Sequence, residues 1–212
     1  MNLISQEIQS MSGEVYCPGD KSISQRILII GSFLNCDMEI DGFLDSEDPN
    51  STLKALNEIG ASIKKEQNKV FLTKRNIPFQ EPSNDLDLGN SGTGARLILG
   101  LIAGLALKST IVGDSSLSNR PMLRVIKPLM EMGANIESSN GTLPIKTFDS
   151  RISNNFKYDM PIASAQVKSC LLLAALASKN NIKIIEPKIT RDHTERMIDH
   201  FGGDISFGKK EN

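Results

Sequence analysis

DPNSTLKALNEIGASI, residues 48–63, decides the fold, because the pattern returns as RPMLRVIKPLMEMGANI at 120–136 and RDHTERMIDHFGGDI at 191–205. Each copy is an apolar run at helical spacing that stops at a glycine, followed by two small or polar residues and an isoleucine. Glycine just past the last helical turn accepts the left-handed conformation that ends a helix. The closing glycines, Gly60, Gly133 and Gly202, fall about 70 residues apart, a period that marks duplication rather than three unrelated helices.

A second series runs upstream in the same phase: PGDKSISQRILIIGSFL (18–34), GNSGTGARLILGLIAGLAL (89–107) and ASAQVKSCLLLAALAS (163–178). Each opens on small polar residues and then turns apolar almost all round, as helices inside a protein do. Short β-like runs lie between and after the helices at Lys69–Thr73, Ser109–Val112, Thr142–Lys146 and Ile182–Ile185. The unit reads as βαβαββ, used three times over roughly 14–76, 77–149 and 150–212. Interior helices with sheets outside predict an α/β lobe of inverse barrel-like form, not a doubly wound nucleotide fold. The third unit ends at GDISFGKKEN, where units one and two continue into hairpins. The last repeat is therefore expected to be incomplete: either the third unit ends differently or the chain, 1–212, is cut, and the second is the expectation, since an unpaired strand leaves an open sheet edge.

Composition sets outer limits. Among 212 residues, 24 Lys+Arg against 25 Asp+Glu leave a net charge of −1, which gives no general footprint for nucleic acid. The longest apolar run, Leu97 to Leu107, is far short of the ~20 residues of a membrane span. MNLISQEIQSMSGEV has no basic segment followed by an apolar one, so no signal peptide is expected. Cys17, Cys36 and Cys170 form no pair with a redox or metal spacing, and two histidines, His193 and His200, make a zinc site unexpected. A reduced, cytoplasmic chain is the expectation.

The first-helix starts concentrate the polar chemistry. Lys21, Ser22 and Arg26 open one, Asn90, Ser91, Thr93 and Arg96 the next, and Ser164, Gln166 and Lys168 the third. Helix N-termini offer unpaired N–H groups and a positive dipole end, which suit phosphates and carboxylates. Serine, asparagine and aspartate are equally the ordinary N-cap residues. Caps do not, however, explain a cation in the first turns of all three helices, where the dipole disfavours one. A bound anion explains both. Known nucleotide loops do not fit: Gly19-Asp20-Lys21-Ser22 lacks the GKS of a Walker loop, and Gly89-Asn90-Ser91-Gly92-Thr93-Gly94 has its glycines in the wrong order for a dinucleotide fingerprint.

Gly19-Asp20-Lys21-Ser22 with Arg26, Leu88-Gly89-Asn90-Ser91-Gly92-Thr93, Asn119-Arg120-Pro121-Met122 and Ser164-Ala165-Gln166 occur in an order and spacing that resemble the 5-enolpyruvylshikimate-3-phosphate synthases. The likeness runs over essentially the whole chain and corresponds to the N-terminal half of that family. It implies the enolpyruvyl transferase fold, two lobes of three βαβαββ units each. The implied reaction transfers the enolpyruvyl group of phosphoenolpyruvate to the 5-hydroxyl of shikimate 3-phosphate, without cofactor or metal. By this resemblance Lys21 contacts both substrates and assists proton transfer. Ser22, Arg26, Ser164, the Ala165 backbone, Gln166 and Arg191 then bind shikimate 3-phosphate, while the backbone near Gly92 and the Arg120 guanidinium bind phosphoenolpyruvate.

Ala165 stands where many members carry a second serine. Lys168 and Thr190-Arg191-Asp192-His193-Thr194 resemble one bacterial branch. The acidic base and further cations of the family belong to its other half, so this chain alone is expected to bind but not to turn over. Rival readings are the sister UDP-N-acetylglucosamine enolpyruvyl transferase, disfavoured by Ser22 and by the absence of cysteine between Cys36 and Cys170, an RNA-terminal phosphate cyclase-like protein, and a non-catalytic anion-binding fragment. Outside the helix starts the bland expectations are these. Cys170 is core, Cys17 and Cys36 are small packed thiols, Lys64-Lys65 and Lys209-Lys210 are solvated, and His193 and His200 share one helix as a surface or cap pair. Arg191-Asp192 with Glu195-Arg196 also fits a surface ion-pair set.

Overall fold

The computed structural model describes residues 4–66 and 69–208; the Lys209-Lys210 pair lies outside them. In chain order the elements are α1 (Lys21–Leu34), β1 (Met38–Ile40), α2 (Glu47–Glu58), β2 (Ile63–Glu66), β3 (Lys69–Leu72), β4 (Leu86–Asp87), α3 (Gly92–Leu105), β5 (Ser109–Val112), α4 (Ser115–Ser118), α5 (Leu123–Glu131), β6 (Ile136–Ser139), β7 (Thr142–Thr147), β8 (Phe156–Asp159), α6 (Ala165–Ser178), β9 (Ile182–Ile185) and α7 (His193–His200).

The duplication survives in detail. The interior helices α1, α3 and α6 are each 14 residues long and each stop at a left-handed residue, Asn35, Ala106 and Lys179. The closing glycines of the second series, Gly60, Gly133 and Gly202, all carry positive φ. At Gly133 a side chain is excluded twice over, since a Cβ would lie 2.1 Å from the Arg151 carbonyl oxygen.

The sheets show the unit most plainly. The middle one is complete, in the order β4-β5-β7-β6, with β4 parallel to β5 and the remaining pairs antiparallel. The first sheet, β1-β3-β2, is the same order without the leading strand. The third, β8-β9, is the parallel leading pair, with no hairpin among the described residues. The first unit departs from expectation. Among the described residues no strand forms ahead of α1: residues 14–20 carry no regular structure, and Val15 and Tyr16 are exposed. An extended segment becomes a strand only by pairing, and no described strand pairs with this one.

The core is the helical interior. Leu28, Ile29, Leu97, Ile98, Leu101, Cys170 and Leu171 are completely buried. Gly100 and Gly104 lie against α6 so closely that a Cβ would sit 2.2 Å from the Cys170 carbonyl and 2.3 Å from that of Ala174. Small residues let the two backbones touch, and the α3–α6 seam is the closest helix contact in the lobe. Cys170 is core as expected, but Cys17 and Cys36 are exposed rather than packed: one lies in the unpaired N-terminal segment, the other in the turn after α1. Lys65 is not simply solvated either, for its ammonium lies 2.5 Å from Asp45 and 3.2 Å from Asn50. Among the described residues no helix is long and apolar enough to cross a membrane.

Candidate anion-binding floor

The starts of α1, α3 and α6 are stitched together by side chains from different units. Gln25 of α1 donates through Nε2 to Ser91 Oγ at 2.5 Å and to Thr52 Oγ1 at 3.0 Å. Gln166 of α6 donates to Thr93 Oγ1 at 2.9 Å and accepts from Arg96 Nη1 at 3.1 Å. Arg26 of α1 reaches Ser169 of α6 at 3.0 Å and Thr194 of α7 at 2.8 Å. The three N-termini therefore meet at one place, which the sequence pattern alone left as a condition.

Caps and ligand groups prove compatible. Asp20, Ser91 and Ser164 are N-caps, accepting from the backbone N–H of Ile23, Gly94 and Val167. Each cap satisfies one N–H and leaves others. Among the described residues no acceptor meets the N–H groups of Lys21, Ser22, Thr93, Ala165 or Gln166. Gly92 differs, because its N–H already donates to Asn90 O at 2.9 Å. The free backbone donor near Gly92 is therefore the Thr93 N–H. Gly92 serves by being small: a Cβ there would stand 3.0 Å from Arg96 Nη1 and 3.1 Å from Arg120 Nη1.

The cations are of two kinds. Arg26 and Arg96 are buried, 3% and 7% exposed, and neither has a carboxylate hydrogen-bonded to it. Arg26 donates to the Ser22 carbonyl and hydroxyl, Ser169 and Thr194, which uses four of its N–H groups and leaves one. Arg96 donates to Gly92 O, Gln166 Oε1 and Pro121 O, with its Nε unpartnered. Burial pushes the pKa of both down; Arg191 adds to this at Arg26, where Glu195 and Asp20 oppose it, and Arg124 and Arg120 add to it at Arg96. A guanidinium stays protonated regardless. Buried charges are normally paired, and two whose hydrogen bonds go to neutral groups alone suit an anionic ligand.

The rim cations are accessible. Arg120 donates to Ser116 Oγ and Asn90 O, both at 3.3 Å, and to Asn90 Oδ1. Asn90 in turn donates to Asp114 at 2.8 Å and so steadies the fork. Lys21 is half exposed and pairs with Asp48 of α2 at 2.8 Å. Arg191 is exposed and makes no hydrogen bond or ion pair among the described residues. The surface ion-pair set it offered does not form, because Glu195 is 4% exposed and turns inward to Lys168.

Arg96 stood among the helix-start cations but not among the expected binding residues; its i,i+4 spacing from Gly92 was the signal available. Gln25, Asp48, Ser169 and Thr194 were missed altogether. Polar residues within an apolar helix, such as Lys168-Ser169, are a visible sign of a buried network, but they do not name their partners.

Helix starts, uncapped N–H groups and buried guanidinia thus lie together where the three repeated units converge, an arrangement chemically suited to anions. The family profile of EPSP synthase (3-phosphoshikimate 1-carboxyvinyltransferase) matches residues 5–212, and the chain belongs to that family. It is 48% identical over 203 residues to the 3-phosphoshikimate 1-carboxyvinyltransferase of Ruthia magnifica subsp. Calyptogena magnifica, covering 95% of this chain and 47% of that protein. The Petrotoga mobilis protein of the same name is 47% identical over 202 residues, with 93% and 47% covered. The solved structure of the Acinetobacter baumannii EPSP synthase superposes with a TM-score of 0.86 at 39% identity, over 92% of this chain and 45% of that one. The chain spans just under half the length of the relatives it matches.

Proposed function

We propose that this chain is the N-terminal half of a 3-phosphoshikimate 1-carboxyvinyltransferase and that its floor binds shikimate 3-phosphate, with phosphoenolpyruvate beside it. The observation that carries the reading is the pair of buried guanidinia, Arg26 and Arg96, held by neutral partners alone. Both substrates are phosphorylated, and a phosphate or carboxylate supplies the charge these groups lack.

In this reading the Ser22 and Ser164 hydroxyls, the N–H groups of Ala165 and Gln166, and the last N–H of Arg26 hold shikimate 3-phosphate. Arg191 closes over it from the loop before α7. An Ala at 165 is no loss where the backbone N–H is the donor. Phosphoenolpyruvate takes the Thr93 N–H beside Gly92 and the fork of Arg120, whose planar geometry suits bidentate contact with a carboxylate or phosphate. Lys21 lies between the two sites and exchanges Asp48 for substrate oxygens. From there it stabilises charge and assists proton transfer as the 5-hydroxyl adds to the enolpyruvyl carbon and phosphate leaves. The reaction draws on no cofactor. Residues of a second lobe complete the chemistry, so residues 1–212, one lobe of three units, bind without turning over. The setting is cytoplasmic, where the phosphorylated intermediates of aromatic biosynthesis are found.

Calorimetric titration of the chain tests this. Shikimate 3-phosphate is expected to bind and UDP-N-acetylglucosamine not to bind, and enolpyruvyl transfer is expected only when the C-terminal half of a relative is supplied. No response to shikimate 3-phosphate, or preference for the UDP-sugar, overturns the reading.

A further inference from the structure

Lys168 is the one cation near the floor that is both buried and balanced. It follows the Ser164 cap by one helical turn, and its side chain is 7% exposed. Its Nζ lies 2.7 Å from Glu186 Oε1, just past the end of β9, and 2.5 Å from Glu195 Oε1 in the first turn of α7. Glu186 also accepts from the Thr190 hydroxyl at 2.5 Å, and the second oxygen of Glu195 is buried without a partner. Next to this triad, Thr194 Oγ1 donates to Ser169 Oγ at 2.8 Å and accepts from Arg26 Nε at 2.8 Å.

Two adjacent residues of α6 thus grip two adjacent residues of α7. Lys168 further clips the intervening loop, 186–192, at Glu186, and Arg191 sits on that loop. Stability alone is a weak reason for such a triad, since a buried ion pair pays a large desolvation cost and apolar replacements of similar volume often do as well. A leucine would suit position 168 in this otherwise apolar helix. What it would not do is fix the direction in which the loop leaves β9.

We propose that Lys168 is a positioning residue: through Glu186 and Glu195 it holds loop 186–192 and the first turn of α7 so that Arg191 and Arg26 address the same anion. The ligand half of this inference rests on the shikimate 3-phosphate reading; the structural half does not. The charged groups that face Lys168 are Glu186 from the end of β9 and Glu195 from α7; Glu195 also acts on Arg26 of α1, with Arg191 and Asp20. Burial opposes the charge on Lys168, yet the hydrogen bonds and charges of Glu186 and Glu195 hold its pKa above the ordinary value. It therefore keeps its proton throughout neutral pH. Without it both carboxylates lose the cation they share.

The test compares the wild-type chain with Lys168→Met and Thr190→Val. Amide hydrogen exchange across 186–192, without ligand, is expected to quicken about tenfold in Lys168→Met, as expected for loss of a charged hydrogen bond, and a few-fold in Thr190→Val. Shikimate 3-phosphate affinity is expected to fall about tenfold in Lys168→Met, to return in Lys168→Arg, and to fall little further when Lys168→Met is added to Arg191→Ala. A merely structural role makes the two losses add. Unchanged exchange in both variants, or additive affinity losses, overturns the proposal. If Lys168→Met does not fold, Thr190→Val, combined with Arg191→Ala in the same way, carries both readouts. If the wild-type chain does not bind shikimate 3-phosphate at all, the substrate reading fails while the exchange measurement still decides what Lys168 holds.

Discussion

The middle and the start of α3 and α6 belong to the same two helices and share the same apolar periodicity, yet they are opposite environments. Along the seam, Gly100 and Gly104 bring the backbones into contact with Cys170 and Ala174, and the surrounding leucines and isoleucines are wholly excluded from water. At the start, Arg96 and Gln166 join the helices through charge and hydrogen bonds, with Arg26 buried alongside. The seam joins backbone to backbone through small residues. The floor has buried guanidinia bonded to neutral groups alone and, among the described residues, N–H groups without acceptors. In the proposed reading stability is built into one end of this contact and binding into the other, so the two should respond to mutation in opposite ways.

The sharpest way to break the comparison is at the seam. Gly100→Ala drives a Cβ into the Cys170 carbonyl at 2.2 Å, a backbone atom that cannot rotate away. Overpacking of this kind is expected to cost about 3 kcal/mol, read as a lowered urea midpoint. Shikimate 3-phosphate affinity measured where the variant remains folded should be unchanged. A tolerated alanine would mean that the seam opens without penalty and that stability resides elsewhere.

Arg26→Met addresses the other end and should do the reverse. Its remaining N–H and its charge are lost to the ligand, which is expected to weaken shikimate 3-phosphate binding by about 2 kcal/mol. Ser169 and Thr194 keep their mutual bond, and a buried charge with no carboxylate bonded to it is removed, so the urea midpoint should hold or rise. A large loss of stability would show that Arg26 is a structural brace and not a reserved charge.

The smallest effect returns to the seam. Burial pushes the Cys170 thiol from an ordinary 9.0 up to about 12. The unfolded chain therefore loses this proton first, and the stability the neutral thiol contributes is complete below pH 9 and lost as pH rises toward 12. Denaturation midpoints measured between pH 9 and 10 should decline in the wild type and decline less in Cys170→Ala. Equal slopes would mean that the seam admits water.

Much of this was legible before any coordinates. The duplicated helices, the Gly60, Gly133 and Gly202 stops, the caps at Asp20 and Ser164, the buried Cys170 and the short third unit all follow from local spacing and residue type. Local rules apply because a helix end or a strand is decided within a few residues. The left-handed stops at Ala106 and Lys179 were not legible, since neither residue prefers that conformation. The strand missing before α1 was not legible either, because pairing depends on a neighbour and not on the segment itself.

The sequence by itself determined the repeat, the class of fold, the family and the polar helix starts. Only the tertiary structure decided how those stretches combine. Arg26 meets Thr194 across 168 positions and Gln166 meets Thr93 across 73. Periodicity tells which face of a helix turns inward; it carries no information about which residue of another unit will be waiting there. The pairing of Lys168 with Glu195, and with it the direction of Arg191, is fixed by packing between units, where distance along the chain has no bearing.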